Sequence, residues 1–323
     1  MRDTNQTCRT SRKRLSAISI TITLAVSVSA CGSIIGHPVH PQAAPAVGRL
    51  LSEDPLLIKE SKVELKALGP TAMPALRDAV ASAPPKQQAR IVTLAMEIAE
   101  PQDVLEDTLF TAAASTSPAI RDFVAKKAGE LLVKSATTSG QLRGTTAEDT
   151  LHKLLHDSDA KVRITAFKML AKGEHKDAIT NQDLDTLIHD SDPIVMTSAA
   201  ALAAERGYKF TEFSQLDVQP ALAKHLFDSH PLVRANACKA LGLLGATAEQ
   251  SVPSLRKLMG KEENTVVKLQ AAIALARIGE SSGLKAAIPV LRQLSGHSES
   301  AVRIAATTAL AQAEIRNSQL SGR

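Results

Sequence analysis

Apolar residues recur along most of this chain at helical spacing, and they recur in blocks. Leu151, Leu154 and Leu155 are followed by Val162, Ala166 and Leu170, and each trio falls on one face of a helix. The same two stripes return as Leu184, Leu187 and Ile188 with Val195, Ala199 and Ala203, then as Leu222, His225 and Leu226 with Val233, Ala237 and Leu241. They return again as Leu255, Leu258 and Met259 with Val267, Ala271 and Leu275, and finally as Leu291 and Leu294 with Val302, Ala306 and Leu310. Valine to valine, the copies lie 33, 38, 34 and 35 residues apart. A self-similar period of that length marks stacked two-helix units, none of which buries its apolar faces alone.

The breaks between stripes carry the chemistry of helix ends. DSDA at 157–160, DSDP at 190–193 and DSHP at 228–231 place Ser or Asp where a helix begins, with Pro193 and Pro231 in the first turn, where a missing N–H is harmless. Gly173, Gly207, Gly245 and Gly279 follow the valine-bearing helices as C-terminal stops. The expected unit is therefore helix A with the valine, a glycine turn, helix B with the leucines, and a short polar turn. The pattern predicts an all-α fold, an α-solenoid of helical hairpins over residues 52–316 with a tail at 317–323.

LVRANACKALGLLG at 232–245 and VVKLQAAIALARIG at 266–279 resemble the HEAT-repeat family, in particular its short bacterial form found in phycobilisome-lyase-like proteins, with the signature D-x-x-x-x-V-R-x-x-A-x-x-A-L-G-x-x-G. LKALGPTAMPALRDAV at 65–80 resembles the junction of the two helices, with Pro74 corresponding to Pro253 and Pro289, and PAIRDFVAKKAGELL at 118–132 resembles helix A. The resemblance implies a HEAT-like array and a ladder between adjacent units, formed by Arg163, Arg234, Lys268 and Arg303 with Asp157, Asp190, Asp228 and Glu262. Met196 breaks that ladder, and the following step of 38 carries extra residues around Tyr208 to Phe213, where a local change of curvature is expected.

The N-terminus reads differently. Residues 2–14 are basic and polar, and Leu15 to Ala30 run without a charge, the layout of an export signal and short for a spanning helix. Val28, Ser29, Ala30 and Cys31 resemble the lipobox of bacterial lipoproteins. That resemblance implies cleavage after residue 30, lipidation of Cys31, membrane attachment through that lipid, and a cell-envelope location; Gly32 in place of Asp implies the outer membrane in a Gram-negative cell. Residues 31–51, with Pro38, Pro41 and Pro45, read as the lipidated cysteine and a Pro-rich tether. His37 and His40 belong to that tether.

Composition narrows the function. The 323 residues are 44% hydrophobic but only 2% aromatic, with no Trp and one Tyr, so flat stacking platforms for sugars or single-stranded nucleic acid are scarce. The net charge of +5 resides largely in the leader: without residues 1–30, 33 basic side chains face 32 acidic ones, and a body so nearly neutral has no global attraction for nucleic acid. Of three cysteines, Cys8 lies in the leader, Cys31 is the lipidation site, and Cys238 remains as a small core residue, so no internal disulfide is expected.

Catalytic signals are thin. Gly279, Glu280, Ser281, Ser282 and Gly283 spell G-x-S-x-G, but a helix precedes them where a nucleophile elbow needs a strand. His152 and His156 stand four apart and could ligate a metal from one helix face, yet His189 repeats the position of His156 one period later, which favours a structural role. Neither a cofactor nor a metal is expected, and no enzymatic activity.

One row of positions remains. Aligned on their first leucine, the B helices carry Lys153, Thr186, Lys224, Lys257 and Gln293 at one place, and His152, Asp185, Ala223, Arg256 and Arg292 just before it. These flank the buried leucines and are expected exposed on the inner, concave row, with Lys153, Lys224, Arg256, Lys257, Lys285 and Arg292 as a protein-binding stripe that meets an acidic partner surface. The function expected is that of an exported, non-catalytic protein-binding scaffold. A chromophore-lyase-like or base-excision HEAT protein and a structural envelope spacer are the alternatives; the first two would work inside the cell.

Overall fold

The computed structural model describes residues 39–98, 102–139, 146–172, 178–208 and 212–321. The export signal, Cys31 and Gly173 therefore lie outside the described residues. Two units separate by their contacts, at Met1–His37 and Pro38–Arg323, and the described helices belong to the second.

The helices are α1 Ala43–Leu50, α2 Pro55–Leu68, α3 Met73–Val80, α4 Pro85–Ile98, α5 Gln102–Ala112, α6 Pro118–Ser139, α7 Thr146–Leu155 and α8 Ala160–Leu170. They continue as α9 Asn181–Leu187, α10 Pro193–Glu205, α11 Glu212–His225, α12 Pro231–Leu244, α13 Val252–Lys261, α14 Thr265–Ile278, α15 Ser281–Leu294 and α16 Ser300–Ser321. No strand occurs among the described residues. Each odd-numbered helix packs on the even one that follows it, and the even helices pack on one another in unbroken succession from α2 to α16. The fold is an all-α solenoid of stacked helical hairpins, as the periodicity predicts.

Both apolar stripes face inward. Leu151, Leu154 and Leu155 on α7, Val162, Ala166 and Leu170 on α8, and Val233, Ala237 and Leu241 on α12 are all buried, and all but Val233 belong to one continuous core. Small residues let the even helices approach closely. At Gly242 on α12 an added Cβ would stand 2.7 Å from the Ala274 Cα of α14, a backbone atom that cannot swing aside.

Helix ends follow the sequence chemistry with one change. The Asp159 and Asp192 carboxylates cap α8 and α10 by accepting from the second and third backbone N–H groups, and Asn264 does the same for α14. In DSHP the cap is His230, whose Nδ1 accepts from the Leu232 N–H at 3.2 Å, rather than Ser229. Gly207, Gly245 and Gly279 take φ of 65°, 63° and 79°, the positive range that lets a chain leave a helix without a Cβ clash.

The ladder is present and starts one unit earlier than expected. Arg163 of α8 reaches Asp190 at 2.6 Å, Arg234 of α12 reaches Glu262 at 2.8 Å, and Arg121 of α6 reaches Asp157 at 2.6 Å. Each guanidinium grips its carboxylate with two nitrogens and turns the third to a carbonyl of its own unit: Ser115, Asp157 or Asp228. Each acid also accepts from the N–H of the capping residue two places on, for example Asp190 from Asp192 at 2.8 Å and Glu262 from Asn264 at 3.0 Å. One rung thus ties two repeats and a helix cap together. Met196 does break the series, and Asp228 instead lies 3.5 Å from His225 of its own unit. Opposite Lys268, the acid's place is taken by His297, whose Nδ1 accepts the N–H of Glu299.

Two boundaries differ from the expectation. Residues 43–50, expected as tether, form α1 and bury Ala43, Ala46, Val47 and Leu50 in the core. Pro45 sits in the first turn, where its missing N–H would have had no partner. The expected tail from residue 317 continues α16 to Ser321. Pro289 and Pro253 also differ: Pro253 opens α13 after a 3-10 segment at 245–251, whereas α15 begins earlier and carries Pro289 within it.

Candidate functional site

The stripe of basic residues lies on the odd-numbered helices. Lys153, Lys224, Arg256, Lys257, Lys285 and Arg292 are all exposed, and the leucines beside them are buried. The even helices pack most extensively on one another from α10 to α14, while among the odd helices α3, α5 and α7 also pack in succession.

Two of its lysines are held over aromatic rings. The Lys153 ammonium stands 4.7 Å from the ring centre of Phe110 on α5, and that of Lys257 stands 5.3 Å from Phe227, just past the end of α11. Phe110 and Phe227 occupy equivalent positions, each one unit before its lysine, and are 40% and 50% exposed. A cation over a ring face is attracted by the ring quadrupole, so these lysines are oriented while their charge still reaches solvent. Arg292 is different. It makes a 2.6 Å ion pair with Glu314 of α16, which neutralises part of its field. Arg256 extends toward the Ser282 hydroxyl at 3.4 Å, and Lys285 is exposed one helix further on.

Lys261, also exposed, belongs to the same surface and was not singled out by the sequence alignment because it lies past the leucine register. Phe227, Lys257, Leu258 and Lys261 line a surface groove of about 400 Å³ whose floor includes the Arg234–Glu262 rung. The Phe110 and Phe227 ledge was also missed; their recurrence three residues out of step with the lysines was the available signal.

The remaining candidates resolve into structural roles. His152 and His156 of α7 converge on Asp183 of α9, at 3.5 Å and 3.1 Å. Asp183 is the partner residue of a capping box, accepting from the Thr180 N–H and Oγ1. Burial pushes its carboxyl up, but the hydrogen bonds from Thr180 and His156 outweigh that and hold it below the usual carboxylate range. No group of three or more His, Cys, Asp or Glu side chains that could hold a metal ion occurs among the described residues. Gly279 ends α14 and Glu280 caps α15 by accepting from Ser282 and Gly283, so the G-x-S-x-G spelling is a helix-to-helix turn. Ser281, at the nucleophile position of that spelling, is the exposed first residue of α15, and the Ser282 hydroxyl beside it donates to the Glu280 cap at 2.6 Å. Cys238 is buried, and that burial pushes its thiol well above the ordinary range, the opposite of a nucleophile.

A solenoid of stacked hairpins with a ladder through one layer and an exposed charged row on the other defines a helical-repeat protein. Residues 184–276 match the family model of HEAT repeats. No curated protein matches the chain significantly. Among solved structures, an engineered protein is similar at 18% identity and a TM-score of 0.36, covering 85% of this chain and 99% of that one. Human deoxyhypusine hydroxylase is similar at 19% identity and a TM-score of 0.32, covering 85% and 96%. A designed armadillo repeat protein in complex with the peptide (KR)4 is similar at 16% identity and a TM-score of 0.30, covering 84% and 99%. No helix among the described residues is long and apolar enough to cross a membrane.

Proposed function

We propose that this chain is an exported, lipid-anchored scaffold that binds another protein through the exposed face of its odd-numbered helices and performs no catalysis. The observation that carries the reading is the pair of preset lysine–phenylalanine ledges in a row of exposed basic side chains. Proteins present such combinations where a partner docks, because the ring supplies apolar area and the cation supplies orientation. Histidines, serine and cysteine that chemistry would recruit are engaged in caps or buried among helices. The partner surface is acidic, and association slows as salt rises.

The anchoring half of the proposal rests on Val28-Ser29-Ala30-Cys31 and the uncharged run before it. Cys31→Ser is expected to shift the protein out of the membrane fraction or leave it unprocessed, read by fractionation and intact mass. Membrane partitioning and mass equal to wild type would reject lipidation. For the docking half, crosslinking in intact cells is expected to capture a partner that is lost when Lys224, Arg256, Lys257 and Arg292 are all changed to Glu. Helicity should be unchanged, since all four are exposed. Undiminished capture by that variant would remove the stripe as the binding site.

A further inference from the structure

The odd-numbered layer is divided by charge. Helices α5, α7 and α9 contain Asp103, Glu106, Asp107, Glu148, Asp149, Asp183 and Asp185, against the single ammonium of Lys153. Helices α13 and α15 contain Arg256, Lys257, Lys261, Lys285 and Arg292 and no acidic residue at all. Between them lies α11, with Lys224 near its end. On the acidic side Asp103, Asp149 and Asp185 are exposed, while Glu106, Glu148 and Asp183 are buried. At about 100° per residue, the exposed acids and the exposed bases fall on the same side of their helices, opposite the buried leucines. Each half also offers a partly exposed ring: Phe110 on α5 in the acidic half and Phe227 at the border of the basic half.

A surface that is acidic over α5, α7 and α9 and basic over α13 and α15 is complementary to itself turned around. In a two-fold arrangement the basic end of one copy meets the acidic end of the other, and the second contact forms with the first because the patches are the same on both chains. We infer that the partner of this face is a second copy of the same chain, docked antiparallel, with Arg256, Lys257 and Lys285 of each copy facing Asp103, Asp149 and Asp185 of the other. Phe110 and Phe227 supply apolar area within each contact, where ion pairs on an exposed rim contribute mainly rate and register. The inference rests on the odd-numbered face being the docking face, and it names the acidic partner.

The test uses two differently tagged full-length chains expressed together and crosslinked in intact cells. Wild-type copies are expected to capture each other. Arg256→Glu, Lys257→Glu and Lys285→Glu combined leave both ends acidic, so two copies of that variant repel; Asp103→Lys, Asp149→Lys and Asp185→Lys combined leave both ends basic, with the same result. Mixed together, the two variants pair acidic ends with basic ends at both contacts, and capture is restored. Restoration in the mixture also shows that both variants fold. Failure of wild-type copies to capture each other, or loss that the mixture does not restore, overturns the second copy as occupant. If a different protein is captured and only the basic reversal abolishes it, the docking face stands and the inference alone fails. If neither copy nor other protein is captured, both readings fail.

Discussion

Ala237→Asp is expected to destabilise the protein by about 3 to 5 kcal/mol, because it places a carboxylate where helices touch and no cation is free to meet it. Ala237 is fully buried on α12, the helix that packs against both α10 and α14. The guanidinium nearest in sequence, Arg234, is already committed to Glu262 and to the carbonyls of Asp228 and Ser229. The new side chain must therefore take up a proton, force the helices apart, or stay charged in an apolar layer, and each route is unfavourable. In a repeat array the loss is felt first in the units that share the damaged interface. Melting followed by helical circular dichroism should show an earlier transition, or a first step confined to part of the signal. A curve that overlays wild type would mean that the register of buried positions on α12 is wrong.

How far the sequence could be read depended on which physical rule dominated locally. From residue 150 onward, burial decides the pattern, and the leucine and valine stripes, the Asp caps and the positive-φ glycines all lie where the repeat places them. α1 escaped notice for an identifiable reason. Ala43, Ala46, Val47 and Leu50 have the i, i+3, i+4, i+7 spacing of a buried helix face, but the prolines at 38, 41 and 45 look like a tether unless Pro45 is placed in a first turn. The Arg121–Asp157 rung was equally available. Ile120-Arg121 stands where Val233-Arg234 stands in the better copies, and Ser115 and Ser117 replace the acid and the cap; substituting hydroxyls for carboxylates hid the match.

The candidate site was legible only in part. Alignment found exposed positions, since residues beside a buried leucine must point outward on an amphipathic helix. It could not show a close approach between two helices, such as Gly242 against Ala274, because that depends on both elements rather than on any one helix. Nor does linear spacing show that Lys153 meets Phe110 or that Lys257 meets Phe227, which lie 43 and 30 residues away. Arg292 illustrates the converse. As a sequence position it looked equivalent to Arg256, yet Glu314 arrives from α16 to pair with it.

Arg234→Leu is expected to cost about 3 to 5 kcal/mol near neutral pH, since it strands Glu262, whose side chain is only 6% exposed, without its guanidinium. In the wild type the hydrogen bonds from Arg234 hold the Glu262 carboxyl below its ordinary value, against the upward push of burial. A carboxyl depressed by folding contributes stability that is fully present above its unfolded value, near 4.5, and is lost as pH falls through the folded value. In the variant only burial and the N–H groups of Asn264 and Glu263 act on the carboxyl, so it gains a proton more readily and the stranded charge disappears in acid. Denaturant unfolding of both proteins should therefore show a gap that is widest near neutrality and narrows as pH drops below about 4.5. Adding Glu262→Leu removes the orphaned charge together with its partner, and most of the loss should be recovered, because an apolar pair of similar volume tolerates the same site. A gap that is constant through the acid range, or a double variant no more stable than Arg234→Leu, would mean that the rung contributes through packing of the guanidinium stem and not through its charge.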